Sequence, residues 1–332
     1  MKIQKFIPNT QFRYYYSILD KSEKNIYDSL LAGLLQFKDN IKIWCFDKNR
    51  LFLIFSYLKL DIPELFFVQT INIEYTVMSL SAVNVKPIYR FSCFTTCEML
   101  QDMENEFEEM ILSGLSLTEI EREYMIHDYI VSSVKYMDSD KPYSHEAPGV
   151  LLYGIGVCEG VSKSAKWLCD RLQLKSAVAI GESYANGNLG GHSWNIIWVN
   201  NNPYHVDMTF DNTITSSSIR YDYFNLNDIE ILGDRQVNVD YPLPKCQKSL
   251  NWYIENHLYF ESRKALVRFL RTKNNEKSFS FQLPLFSEKN EEVITNIITI
   301  INNNLSSYKS GTCYKLKYNV DRMVFEVVFS DK

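Results

Sequence analysis

The sequence predicts an α+β protein, on three observations. A stripe of apolar residues at helical spacing, Val161, Ala165, Leu168 and Leu172, begins just after Cys158. Two strand-like segments, His192 to Val199 and Asn202 to Phe210, are separated only by Asn200-Asn201. From about residue 250 to 332, helical and strand-like patterns alternate on a smaller scale.

Taken in order, residues 1–115 read as a mixed α/β region. Ser22 to Phe37 carries Ile26, Leu30, Leu31, Leu34 and Leu35 on one helical face, with Ser22 as its expected N-cap. Asn49 to Leu60 reads as a second helix, and Thr95 to Ser113 as a third with a solvated acidic face. Ile71 to Met78 and Lys86 to Phe94 read as strands. Residues 116–235 form the middle region. It opens on a helix from Leu117 to Lys135, capped by Thr118 with Glu121 three residues on. Pro142 to Pro148 reads as a loop. Residues 250–332 form a small α+β unit: a helix at Glu261 to Arg271, a strand at Lys277 to Leu285, a long helix at Glu288 to Leu305, and a hairpin of Tyr314 to Asn319 and Arg322 to Phe329 around Val320-Asp321. This unit shows no chemistry and reads as support or as a surface for a protein partner.

Composition narrows the function classes. The 332 residues are 46% hydrophobic and 14% aromatic, and the net charge of −5 comes from 35 basic and 40 acidic residues well interspersed. Without a basic patch, nucleic acid is not the expected partner. Met1 to Arg13 lacks the apolar core of a signal peptide. The most apolar run, Leu51 to Leu60, is too short to span a bilayer. A cytoplasmic protein with no membrane span is the expectation. The seven cysteines are odd in number and widely spaced, which suits reduced thiols. Cys93 and Cys97 have no second Cys/His pair nearby and read as two buried cysteines rather than a zinc site. No acidic calcium loop occurs, so neither metal nor cofactor is expected.

Cys158 follows Gly154 and Gly156 and sits where the helix starts. There, unpaired N–H groups and the helix dipole favour a thiolate and could hold an oxyanion. The residues alone leave two readings open, a nucleophile or a buried structural cysteine. Cys169, eleven residues on, reads as core. In the strand pair, an Asn-Asn type I′ turn sets Val199 opposite Asn202 and Trp194 opposite Asp207. His192 is then diagonal to Asp207, at a Cβ separation of about 7–8 Å or less, within reach of an imidazole–carboxylate bond. Such a carboxylate fixes the imidazole and frees its other nitrogen to take a thiol proton. Pro203 falls opposite Trp198 and implies an edge strand. Trp194 reads as packing, or as a shield over the His–Asp pair. His205, on the Asp207 face, reads as structural or as a support to that pair. Asp211 reads as the start of the next turn.

These residues resemble the transglutaminase-like superfamily in its bacterial branch. Three motifs carry the resemblance: Gly156-Val157-Cys158-Glu159-Gly160-Val161-Ser162, Gly190-Gly191-His192-Ser193-Trp194-Asn195, and His205-Val206-Asp207-Met208-Thr209-Phe210-Asp211. Ile126 to Tyr136 and Tyr221 to Phe224 with Asp228 are similar to its flanking segments, and Asp61 to Phe67 more faintly so. The resemblance implies a papain-like core, in which a helix bearing the thiol packs on an antiparallel sheet bearing the imidazole and carboxylate. It implies Cys158 as nucleophile, His192 as base and acid, and Asp207 as orienter, with Gly156, Glu159, Gly191, Trp194 and His205 around them. Val161, Ser193 and Phe210 depart from the family pattern, which bears on specificity. Tyr143 is a candidate oxyanion donor or an ordinary loop aromatic. The implied activity is thiol-dependent acyl transfer from a protein or peptide substrate: a peptidase or amidase, which the bacterial branch favours, or a transglutaminase with an amine acceptor. The alternative is a non-catalytic scaffold or interaction module.

Overall fold

Several helices in this protein start where a short polar side chain takes up the first free N–H groups. The structure is a computed structural model and describes residues 3–331 other than 46, 76–81, 140–142, 186–187, 216–217, 274–275, 286–290 and 306–311. A short helix α1 (Tyr14–Ile18) leads into α2 (Lys21–Leu35). Asp20 accepts the Glu23 N–H at 2.9 Å while the Glu23 carboxylate accepts the Asp20 N–H at 3.0 Å. That reciprocal box moves the cap from the expected Ser22 to Asp20. After β1 (Ile41–Trp44), Asp47 caps α3 (Lys48–Asp61). Strands β2 (Val68–Tyr75) and β3 (Ala82–Tyr89) complete an antiparallel sheet of order β1-β3-β2. The expected strand at 71–78 starts earlier, and its last three residues lie outside the described ones. The expected strand at 86–94 stops at Tyr89, because Ser92 caps α4 (Cys93–Gly114) through the Thr95 N–H. The capping pair Thr118 and Glu121 opens α5 (Glu119–Ser133) as expected.

The middle region builds the second sheet. Strands β4 (Lys135–Tyr136) and β5 (Ile155–Gly156) pair in parallel across α6 (Ala147–Tyr153). The sequence read a loop as far as Pro148; that proline instead occupies the first turn of α6, where its missing N–H costs nothing. Gly154 closes α6 at φ +64°, a conformation that favours glycine. Helix α7 (Cys158–Arg171) buries Val161, Ala165 and Leu168. It packs on β6 (Ser176–Ala185) and β7 (Asn188–Val199), which continue to β8 (Asn202–Val206). Asn200 and Asn201 take φ of 50° and 61°, making the expected I′ turn, with Val199 opposite Asn202 and Trp198 opposite Pro203. β8 ends at Val206 rather than Phe210, because Asp207 caps α8 (Met208–Ile214). A one-turn helix α9 (Asp228–Ile231) precedes β9 (Arg235–Val237), and the sheet order is β8-β7-β6-β9, all antiparallel. Neither β6 nor β9 was expected from the sequence.

After α10 (Trp252–Glu255) come α11 (Arg263–Thr272), β10 (Ser278–Gln282), α12 (Glu291–Leu305), β11 (Thr312–Asn319) and β12 (Val324–Asp331). The strands form a sheet of order β10-β12-β11. Arg322, expected on a strand, lies in the β11–β12 connection, where Met323 has φ 50°. One hydrophobic core runs from Ile3 to Cys246 across both the first and the second sheet, and another gathers Leu266 to Val327. The chain is therefore α+β throughout, with the Cys158 helix laid on an antiparallel sheet. Among the described residues, no helix is long and apolar enough to cross a membrane.

Candidate active site

Cys158 is the first residue of α7 and is partly buried. Close packing sets its position. A Cβ on Gly160 would lie 2.3 Å from the Ser144 carbonyl oxygen, and one on Gly156 would lie 2.5 Å from the Val150 side chain. Both glycines let the 143–150 segment press on the start of the helix. Beneath it, buried Glu146 accepts from Lys59 at 2.8 Å, Lys163 at 2.8 Å and Arg90 at 3.2 Å. Burial would raise the Glu146 pKa, but Lys163 and Lys59 hold it below its ordinary value. Glu159 pairs with Lys163 at 2.6 Å and with His145 at 3.2 Å, and so joins this clamp.

On the sheet side, Asn195 stands opposite Val206, and one further step sets Asp207 opposite Trp194. His192 is diagonal to Asp207, as the hairpin count required, and its Nε2 meets Asp207 Oδ2 at 2.7 Å. The ring also lies beside Cys158, and His192 and Ser193 both act on the thiol to lower its pKa. The three predicted residues therefore meet in one chain: thiol, imidazole, carboxylate.

Electrostatics favour charge separation along it. Burial pushes the Cys158 thiol up, but the His192 hydrogen bond and charge, with Ser193, outweigh it and hold the pKa below the ordinary value. Burial pushes His192 down, but Asp207 and then Cys158 outweigh it and raise it to about 9. Asp207, fully buried, would be raised by burial, yet His192 and Arg235 hold it far below the carboxylate range. Cys169 is the contrast: buried in the body of α7, as expected of a core residue, its thiol is pushed well above its ordinary value by burial.

Arg235 is one residue of this cluster that the sequence reading missed. Its guanidinium meets Asp207 Oδ2 at 2.5 and 3.1 Å and Asp234 at 2.8 Å, sandwiched between Phe210 at 4.1 Å and Tyr223 at 4.6 Å. No local pattern marks it: it arrives on β9, which pairs with β6 some fifty residues back in sequence. Tyr136 was also missed. Its phenol lies beside Cys158 at the helix N-terminus, where burial and the thiol raise its pKa. Tyr143, the candidate raised from the sequence, instead stacks between Phe91 and Tyr153 at 6.0 and 5.2 Å.

Trp194 stacks on His192 with ring centres 6.0 Å apart. Its Nε1–H donates to His205 Nδ1 at 2.9 Å, and His205 Nε2 meets Asp228 at 2.9 Å. Since Nδ1 accepts, the proton of His205 sits on Nε2, toward Asp228. Cys246 brings its sulfur within 4.8 Å of both groups, but a metal there would have to displace that proton. His205 thus supports Trp194. Gly191 has open space beyond its Cα and lines the cavity beside His192, whereas Gly156 packs inside. Asp211 lies in α8 rather than in a turn and meets buried His127 at 3.1 Å. Of the C-x3-C pair, Cys97 is buried but Cys93, expected to be buried too, is exposed, because it falls in the first turn of α4.

Residues 109–208 match the family model of the transglutaminase-like superfamily, a span that contains Cys158, His192 and Asp207. No curated protein matches the chain. Two solved structures show slight likeness. One is described as a candidate cysteine protease from Cytophaga hutchinsonii: 10% identical, TM-score 0.28, covering 43% of this chain and 62% of that one. The other is described as a TGase: 12% identical, TM-score 0.30, covering 55% of this chain and 53% of that one. This chain thus spans less than two thirds of either, and the family match alone carries the assignment. Residues 109–208 are thus a segment similar to the transglutaminase-like superfamily.

Proposed function

We propose that the chain is a cysteine-dependent acyl-transfer enzyme acting on peptide or carboxamide bonds. One observation carries this reading: a partly buried thiol beside an imidazole that is itself hydrogen-bonded to a buried carboxylate, with the thiol pKa depressed and the imidazole pKa raised. On this reading His192 holds the proton and Cys158 reacts as the thiolate. The sulfur adds to the substrate carbonyl carbon, and the carbonyl electron pair moves onto oxygen. This reading assigns the helix N-terminus at Cys158 and the neighbouring Tyr136 hydroxyl as the donors to that oxyanion. Collapse breaks the C–N bond, His192 gives its proton to the departing amine or ammonia, and a thioester remains. Water then attacks, with His192 as base, and the acid is released with the free thiol. An amine in place of water gives transamidation with the same residues. The cavity beside His192 holds about 1010 Å³. It exceeds what one side chain needs and suits a stretch of polypeptide, which favours a peptidase or amidase.

Iodoacetamide labelling tests this reading. At about pH 6 to 7, Cys158 should be modified at least about tenfold faster than exposed Cys93 and Cys313, as mapped by mass spectrometry. Equal rates at the three thiols would overturn the proposal.

A further inference from the structure

Large apolar side chains left at the surface around one concavity mark a recognition site more than the same residues scattered singly. Tyr136, Tyr184, Leu189 and Tyr318, each 43% to 52% exposed, all line the cavity that His192 also lines. They come from three separate places in the chain. Tyr136 is on β4. Tyr184 and Leu189 are directly paired near the tip of the β6–β7 hairpin. Tyr318 is on β11, in the C-terminal unit for which the sequence suggested no part in chemistry.

The C-terminal hairpin is held in place by buried polar contacts. Arg322, 2% exposed, donates through Nε to the Asp222 carbonyl at 3.3 Å and through its fork to the Glu230 carbonyl, with its plane over Tyr223 at 5.7 Å. Asn319 donates to Asp222 at 3.0 Å, and Glu326 accepts from Ser218 at 2.8 Å. Tyr223 also covers Arg235, the partner of Asp207. The wall bearing Tyr318 is thus tied to the same residues that hold the His192–Asp207 pair.

We propose that the C-terminal unit completes the substrate groove. Tyr184, Leu189 and Tyr318 form an apolar subsite for a bulky apolar or aromatic side chain of an extended polypeptide, next to the acyl group taken by Cys158. The assignment rests on Cys158 being the nucleophile, so the test separates the two claims. Peptidyl vinyl sulfones bearing Phe or Ala beside the reactive group are compared with iodoacetamide, which is too small to need the groove. The Phe probe should inactivate the full-length chain at least about tenfold faster than the Ala probe, the usual discrimination of an apolar pocket. Tyr318→Ala and Leu189→Ala should bring that ratio close to one while leaving the iodoacetamide rate at Cys158 unchanged. A wild-type ratio near one, or a ratio that survives both substitutions, overturns the subsite. A Cys158 that reacts with iodoacetamide no faster than Cys93 overturns the nucleophile instead. Tyr184→Ala, in the catalytic region, gives the same readout should Tyr318→Ala disturb the folding of the C-terminal unit.

Discussion

Arg235 places its guanidinium 2.5 Å from Asp207 Oδ2, the same oxygen that His192 meets at 2.7 Å. The carboxylate is fully buried, and both cations are needed to offset its desolvation. Arg235→Gln leaves Asp207 and Asp234 short of charge, and the expected loss is about 3–5 kcal/mol of folding stability. Urea denaturation at neutral pH measures it. A loss below about 1 kcal/mol, the range of an ordinary surface change, would show that Arg235 does not carry this charge.

Asp207→Asn removes the anion that raises His192. The imidazole pKa should fall, and with it the hold on the Cys158 thiolate, so the onset of alkylation should move to higher pH. Turnover of an amide substrate should fall by about 100-fold or more, the ordinary worth of a positioned acid–base group. An unchanged pH onset for iodoacetamide would mean that Asp207 does not tune the pair.

The wild-type pH dependence separates the two half-roles of His192. The thiol titrates below its ordinary value and the imidazole at about 9, so between those points the pair is thiolate and imidazolium. Rising pH should switch on alkylation as the thiolate forms. Above about pH 9 His192 loses the proton that the leaving amine needs, so acylation by amides should decline while alkylation, which needs no acid, persists. Rate profiles for both reagents that stay parallel through pH 9 would contradict this assignment.

Tyr136→Phe deletes one hydroxyl from a half-exposed side chain. The fold should be unaffected, while single-turnover acylation should slow by about 100- to 1,000-fold, the range seen when one oxyanion donor is lost. Wild-type acylation in the variant would remove Tyr136 from the reaction.

Gly160→Ala tests the packing under the thiol. Its Cβ would fall 2.3 Å from a backbone oxygen, which cannot swing aside as a side chain can. The expected cost is about 1–3 kcal/mol or more, seen as a lowered thermal midpoint, with slower Cys158 alkylation as the helix start shifts. An unchanged midpoint would show that Ser144 gives way freely.

The His192–Asp207 pairing was legible because a two-residue hairpin is a local object. Two asparagines that tolerate positive φ fix the turn, and the pleat then dictates which residues share a face. Helix starts at Thr118 and Cys158 were legible for the same reason. What escaped depends on long-range pairing. Strand β9 has only three residues and no periodicity to announce it, so Arg235 could not be connected to Asp207. Tyr136 lies on a two-residue strand whose register partner is twenty residues away. The hairpin strand was read too far, to Phe210, because its residues suit a strand; the cap at Asp207 overrides that preference. The C-terminal unit was legible as helices and strands, but its place over the groove depends on buried Arg322, which carries no sequence signature.

Asp207 divides its two oxygens between different tasks. Oδ1 accepts the Phe210 N–H at 3.1 Å and starts α8, while Oδ2 serves His192 and Arg235. Asparagine is an equally good cap, since its amide oxygen can do what Oδ1 does. It offers no negative charge for the second task. A single-nucleotide change at this codon would therefore keep the turn into α8 while silencing the thiol. In a lineage that came to use the protein as a scaffold, position 207 is where inheritance could record the change.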